Sequence, residues 1–191
     1  GLLYAGADFV APATTFAKTL AIPGLLIRGA ADSSKLIAAN PDYSDTKPVL
    51  RVFNPSDKPA KFTAQINGVS ANAFGTVIVE EVAPKSVRDF AIDQLANGDY
   101  SAFISADQNI TAAIRMARSD ATKKPNTDFT WLQSAETFTG ERRMTVPAVG
   151  ISKLTIANPN DKTAAVTVNA TNYKIAANSS IVLLAANSTQ I

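Results

Sequence analysis

From residue 48 onward, apolar and polar side chains alternate in short runs. Leu50 and Val52 face one way and Arg51 the other, until Asn54-Pro55 ends the run. Proline has no N–H to donate and restricts the residue before it, so a ladder cannot continue through that point. Phe62, Ala64 and Ile66 restart a period of two beyond Asp57-Lys58, and the two runs together read as a hairpin with one buried face. Further strands are expected at 75–82 (Val77, Val79), 86–92 (Val87, Phe90), 99–105 and 110–117. Ala83-Pro84-Lys85, Ala96-Asn97-Gly98-Asp99 and Asp107-Gln108-Asn109 separate them. Tyr100, Ala102 and Ile104 share one face, as do Ile110, Ala112, Ile114 and Met116, so the last two runs predict a second hairpin. Short strands with turn residues at intervals of about 8–12 positions predict an all-β fold of the sandwich type.

The first of these patterns occurs twice. Residues 50–60 return at 154–164 with six of eleven positions identical and a constant offset of 104. Leu154 and Ile156 take the places of Leu50 and Val52, Asn158-Pro159 that of Asn54-Pro55, and Val166 and Val168 those of Phe62 and Ala64. A third anchor, Val82 to Val87, aligns with Ala176 to Ile181 at an offset of 94, which makes the second copy about ten residues shorter. Nothing after Ile191 matches the stretch from Gly98 to Met116. The expected organisation is two immunoglobulin-like antiparallel β-sandwich units related by internal duplication. Residues 48–118 form the first repeat, polar 119–127 the linker, and 128–191 a second repeat that lacks its last strands. Residues 1–47 are an N-terminal segment able to supply strands to a sandwich. Leu25-Leu26-Ile27 and Leu36-Ile37-Ala38 suit short strands there, a helix over 13–20 is opposed by Thr14 and Thr15, and a strand is expected at 142–147.

Composition narrows the chemistry. The chain has 191 residues, 46% hydrophobic and 18% charged, which is enough to bury a core without staples. Its 18 basic and 16 acidic residues give a formal charge of +2, too little to attract nucleic acid. Cysteine and histidine are both absent. That removes thiolate nucleophiles, thiolate and imidazole metal sites, disulfides and every imidazole base. Because the chain opens on Gly1, a signal peptide or membrane anchor is expected outside it. No apolar run approaches the roughly 20 residues that span a bilayer as a helix, so the chain itself is expected to be soluble.

The order of motifs adds a resemblance. A strand ending in Asn54-Pro55-x-Asp57 is followed by an alternating strand, by Ala83-Pro84-x-Ser86-Val87, by Gly98-x-Tyr100 and by Ile110-x-Ala-Ala-Ile-Arg115. Asp128-Phe-Thr-Trp131 then precedes Arg143-Met-Thr-Val-Pro147 and the second Asn-Pro strand. Over residues 48–191 this resembles the repeats of an actinobacterial family of unknown function, made of exported, membrane-anchored cell-envelope proteins with immunoglobulin-like sandwiches. The resemblance implies a fold and an extracytoplasmic location, and carries no catalytic residue with it.

Candidate chemistry is sparse. Glu80 and Glu81 are adjacent in a strand and point to opposite faces, while Asp89, Asp93, Asp99 and Asp107 lie at or near turns. A carboxylate pair for glycan hydrolysis would have to assemble across loops. Asp107-Gln-Asn109 and Asn158-Pro-Asn160-Asp161 come nearest to calcium-ligand spacing, but read as turn chemistry. Trp131 beside Phe129 is the one candidate aromatic platform for a ligand. The reading is thus a non-catalytic structural or binding module of a bacterial cell envelope, with no cofactor and no metal. Its partner would be an envelope protein or polysaccharide, and the sequence sets no oligomeric state. A carbohydrate-binding module is the alternative, and a carboxylate-dependent glycan hydrolase comes after it.

Overall fold

The computed structural model describes residues 16–27, 43–45, 48–69, 75–92, 95–120, 127–141, 143–145, 153–184 and 188–190. They form strands and turns, with no helix among the described residues. In chain order the strands are β1 (Ala17–Ile27), β2 (Tyr43–Asp45), β3 (Val49–Asn54), β4 (Ala60–Gly68), β5 (Thr76–Val82), β6 (Ser86–Ala91) and β7 (Gly98–Asp120). Then come β8 (Thr127–Gln133), β9 (Arg143–Thr145), β10 (Lys153–Asn158), β11 (Ala164–Val168), β12 (Thr171–Ile175), β13 (Ser179–Leu184) and β14 (Ser188–Gln190). The chain is all-β. Residues 17–20, where a helix was the alternative, open β1, and 36–38 lie outside the described residues.

β7 organises the first eight strands. The hairpin expected over 99–117 is instead one strand of 23 residues. The even-numbered apolar positions keep a single parity from Tyr100 to Met116, which a continuous strand preserves. Asp107-Gln108-Asn109 makes a bulge rather than a turn. Between Ala17↔Ile110 and Thr19↔Ser105, β1 advances two residues while β7 advances five. Extra residues on one strand of a pair bend it and increase its twist. The Asp107 carboxylate accepts the Lys61 N–H (2.9 Å) and so ties the bulge to the start of β4.

The hairpin expected over 50–66 is likewise absent, because β3 and β4 do not pair with each other. β3 lies against the second half of β7, from Val49↔Arg115 to Phe53↔Thr111. β4 continues along the first half, from Phe62↔Ala106 to Gly68↔Tyr100. β5 pairs with β4 and β6 with β3, so these strands follow the same bend. On its other side β7 carries β1 in its first half and β8 in its second, and β2 pairs with its last three residues. The result is a bent, nearly closed sheet whose two halves enclose one core.

Nineteen buried apolar residues fill that core, from Leu20, Ile22 and Leu25 on β1 to Tyr100, Ile104, Ile110 and Ile114 on β7. Phe62 and Phe90 meet edge to face at 5.2 Å across it and join the two halves. The sheet draws on both sides of the 48–118 repeat. β1 comes from the N-terminal segment, and β8 comes from beyond the expected linker 119–127. Residues 119–120 of that linker end β7 and Thr127 opens β8, while 121–126 lie outside the described residues.

Asn54 holds the corner between β3 and β4. It is fully buried, and its Nδ2 donates to the carbonyls of Lys58 (2.7 Å), Val82 (3.0 Å) and Ala83 (3.2 Å). Its Oδ1 accepts the N–H (3.0 Å) and hydroxyl (2.7 Å) of Ser56. One side chain therefore satisfies the polar backbone where four strands turn at once. Asn158 repeats the arrangement, donating to the carbonyls of Lys162 (2.7 Å), Ile175 (3.0 Å) and Ala176 (3.0 Å) and accepting the Asn160 N–H (3.1 Å). Lys85 and Asn178 both adopt positive φ, at 51° and 48°. Their N–H groups bond the carbonyls of Ser56 and Asn160, each at 3.2 Å.

These equivalences place Val82 with Ile175 and Ser86 with Ser179, an offset of 93 rather than 94. Ladder registers agree, since Asn54↔Ser86 matches Asn158↔Ser179 and Ala60↔Val82 matches Ala164↔Ile175. A two-residue turn joins β11 to β12, where Asn169 (φ 47°) and Ala170 (φ 65°) are both left-handed. Such turns match the right-handed twist of a hairpin.

β10–β13 and β11–β12 form two-stranded sheets over a small core of Leu154, Ile156, Val168 and Ile175. They rest on the outer face of β1, β7 and β4, where Ala21, Ser101 and Phe103 are buried. The hydroxyls of Ser101 and Ser180 hydrogen-bond at 2.9 Å, Asn67 Nδ2 donates to the Asn178 carbonyl (2.9 Å), and Lys153 pairs with Asp99 (2.9 Å). Gly24, at φ +83°, lies in a bulge of β1 opposite Ser101. The expected strand at 142–147 is β9, paired with β14.

Candidate functional site

The second half of the sheet, ordered β6–β3–β7–β8, turns its odd-numbered side chains outward. The register sets Asp89, Arg51, Ala113 and Gln133 in one row, and Ala91, Val49, Arg115 and Trp131 in the next. Arginine and aromatic residues therefore alternate diagonally. The Arg51 guanidinium lies over the Trp131 ring at 5.0 Å, and that of Arg115 over Phe129 at 5.4 Å. Such stacking holds long side chains flat on the sheet. Phe129 remains 56% exposed and Trp131 half-buried.

Arg51 is fixed from its other side by Asp89, which accepts from Nε and Nη2 at 2.7 Å each. This fork-to-carboxylate geometry, reinforced by the charges of Arg51 and Arg115, holds the Asp89 carboxyl below its usual range despite some desolvation. The same hydrogen bonds raise Arg51 further. Arg115 forms no ion pair with a carboxylate among the described residues, although its charge acts on Asp89 at longer range.

Trp131 and Phe129, the two aromatic residues singled out in the sequence, both lie on this outer face. Each has an arginine over its ring, and Phe129 is the more exposed of the two. The arginines escaped sequence reading because diagonal contact depends on strand order, which periodicity does not carry. Alternation of Arg51 with Leu50 and Val52, and of Arg115 with Ile114 and Met116, was the available signal.

The acids considered above are held apart. Glu80 faces Arg88 at 3.6 Å, Asp89 binds Arg51, Asp99 binds Lys153, and Asp107 caps the Lys61 N–H. Asp93 lies outside the described residues. Among the described residues, no group of three histidine, cysteine or acidic side chains could hold a metal ion. Asn158 and Asn160 use their side chains in the corner hydrogen bonds, and Asp161 lines a groove of about 410 Å³ with Thr63, Gln65, Phe103 and Asn178. No helix among the described residues is long and apolar enough to cross a membrane.

No curated protein matches the sequence. Among solved structures, Thermotoga maritima 1070 aligns with a TM-score of 0.46 and 14% identity over 63% of this chain and 94% of its own. The Anabaena sensory rhodopsin transducer aligns with a TM-score of 0.36 and 13% identity over 52% of this chain and 95% of its own. A family model spans the entire sequence, residues 1–191, and by that match the chain belongs to a family of unknown function, DUF5719.

Proposed function

We propose that the protein is a non-catalytic, extracytoplasmic structural or binding module of a bacterial cell envelope, and that it engages its partner through the outer face of β6, β3, β7 and β8. The observation that carries this reading is the row of Arg51, Trp131, Arg115 and Phe129. Two cations and two aromatic rings are fixed on one sheet face, with Phe129 exposed and Arg115 in no ion pair with a carboxylate among the described residues. Rigid elements present a surface with little ordering cost on binding. Flat aromatic faces favour sugar rings and guanidinium groups favour carboxylates or phosphates, so an anionic envelope polysaccharide fits best. That makes a carbohydrate-binding module a special case of the same proposal.

The finer architecture belongs to the proposal too. Two asparagine corners with matching donors, acceptors and ladder registers support an internal duplication of immunoglobulin-like units. The resemblance to actinobacterial envelope proteins supports the location. Binding to purified anionic and neutral cell-wall polysaccharides tests the reading. Retention of the anionic fraction is expected, with salt weakening it and the double variant Phe129→Ala, Arg115→Ala reducing it about tenfold or more. Retention unchanged in that variant, release of new reducing ends from the glycan, or recovery of the native protein in the cytoplasmic fraction would each overturn it.

A further inference from the structure

β3 and β4 each use both edges. One edge pairs with β6 or β5, and the other with β7. β10 and β11 stand in the same registers to β13 and β12, with Leu154↔Leu183 in the place of Leu50↔Phe90 and Val166↔Tyr173 in that of Phe62↔Glu80. Among the described residues, no strand pairs with their second edges. Beside them lies a cleft of about 580 Å³, walled by Leu154, Ile156, Val166 and Ile175, by Pro23 of β1, and by residues 135–139. Its lining is mainly apolar, with Glu136 as the only charged residue among the described ones. The cleft is continuous with the interface between the two parts of the molecule, where the Ala135 N–H bonds the Ala21 carbonyl at 2.8 Å.

We propose that this cleft accepts an extended strand from another polypeptide, laid antiparallel along β10 and β11 as β7 lies along β3 and β4. The molecule contains its own template for the occupant. Ile114 and Ala112 of β7 stand opposite Leu50 and Val52, whose counterparts Leu154 and Ile156 line the cleft. The incoming strand therefore carries small or branched apolar residues at alternate positions, with one basic residue toward Glu136. A strand fits better than a compact apolar molecule because it also satisfies the open row of N–H and C=O groups on the two edges. β10 alone offers six residues, roughly 20 Å of edge at about 3.3 Å per residue. The proposal is independent of the arginine–aromatic face on the other half of the sheet, and loss of polysaccharide binding there leaves it standing.

The test uses the full chain and a synthetic peptide with the sequence of residues 109–117, Asn-Ile-Thr-Ala-Ala-Ile-Arg-Met-Ala. Amide hydrogen exchange over 153–158, the counterpart of the strand that residues 111–115 flank, is expected to slow by about tenfold or more at saturating peptide. A peptide with Ile110→Asp and Ile114→Asp is expected to have no effect. Ala164→Trp, which fills the cleft, removes the protection, and Glu136→Lys at its exposed rim weakens binding severalfold without disturbing the fold. No protection by the parent peptide at millimolar concentration would overturn the proposal. So would protection over 76–82 instead, or binding of a compact apolar dye in the cleft while the peptide fails to bind.

Discussion

At the scale of residues, the two asparagines hold more structure than their size suggests. Removing the Asn54 amide takes its donor from the buried Val82 carbonyl and its acceptor from the Ser56 N–H, while the Ala83 carbonyl keeps the Ser86 hydroxyl, and unsatisfied buried groups cost about 1–3 kcal/mol each. Asn54→Ala is therefore expected to lower the unfolding free energy by about 3 kcal/mol in denaturant melts, and Asn158→Ala to loosen only β10–β13. Asp89 gives a pH-dependent prediction. Arg51 depresses its folded pKa, so the stabilisation is present above the ordinary carboxylate range and is lost as pH falls through the depressed value. With both side chains almost half exposed (47% and 45%), solvent screening limits it to about 0.5 kcal/mol. Asp89→Asn should flatten the acid limb of the stability curve by about that amount, measured by urea unfolding at neutral and acid pH. In the sequence, Asn54-Pro55 and Asn158-Pro159 marked strand ends. That the amides were buried hubs was not legible, because their acceptors Val82 and Ile175 come from strands brought in by the tertiary fold.

At the scale of elements, the turn between β11 and β12 places an alanine where left-handed backbone is required. An L-residue there bears a steric cost of about 1–2 kcal/mol that glycine avoids. Ala170→Gly is expected to raise the stability of the second part by about 1 kcal/mol, seen as slower amide exchange across β11 and β12. Periodicity located β3 and β4 to within a few residues, since each has one face against the core, whereas the expected strands at 75–82 and 86–92 rested on Val77, Val79 and Val87, which β5 and β6 turn outward and leave exposed, as well as on Phe90, which is buried like Val82. It failed on pairing. Leu50–Val52 and Phe62–Ile66 look like two arms of a hairpin because nothing in a period of two states which strand lies alongside. Asp107-Gln108-Asn109 looks like a turn because a bulge recruits the same residue types. The unbroken parity from Tyr100 to Met116 was the clue that no turn intervened. Ser101 and Phe103, outward by parity yet buried, were obscured because what covers them lies beyond residue 150 in the chain.

For the whole molecule, the two cores differ greatly in size among the described residues, with nineteen buried apolar residues in one and four in the other. Burial sets the free energy of local opening, so native-state exchange is expected to separate the parts. Amides of β10–β13 should exchange at least about tenfold faster than those of β3, β4 and β7 under conditions where the larger sheet stays intact. Equal protection throughout would instead mean that Lys153–Asp99, Ser101–Ser180 and Asn67–Asn178 weld the two into one cooperative body. The single 23-residue strand also dictates when the protein can assemble. A chain emerging from a ribosome has delivered the described strands β1 to β6 by residue 97 and still lacks β7, the common neighbour of β1, β2, β3 and β4. β1, β3 and β4 have no shared partner until residues 98–115 arrive, so the order of emergence postpones closure of the main core until well past the middle of the chain.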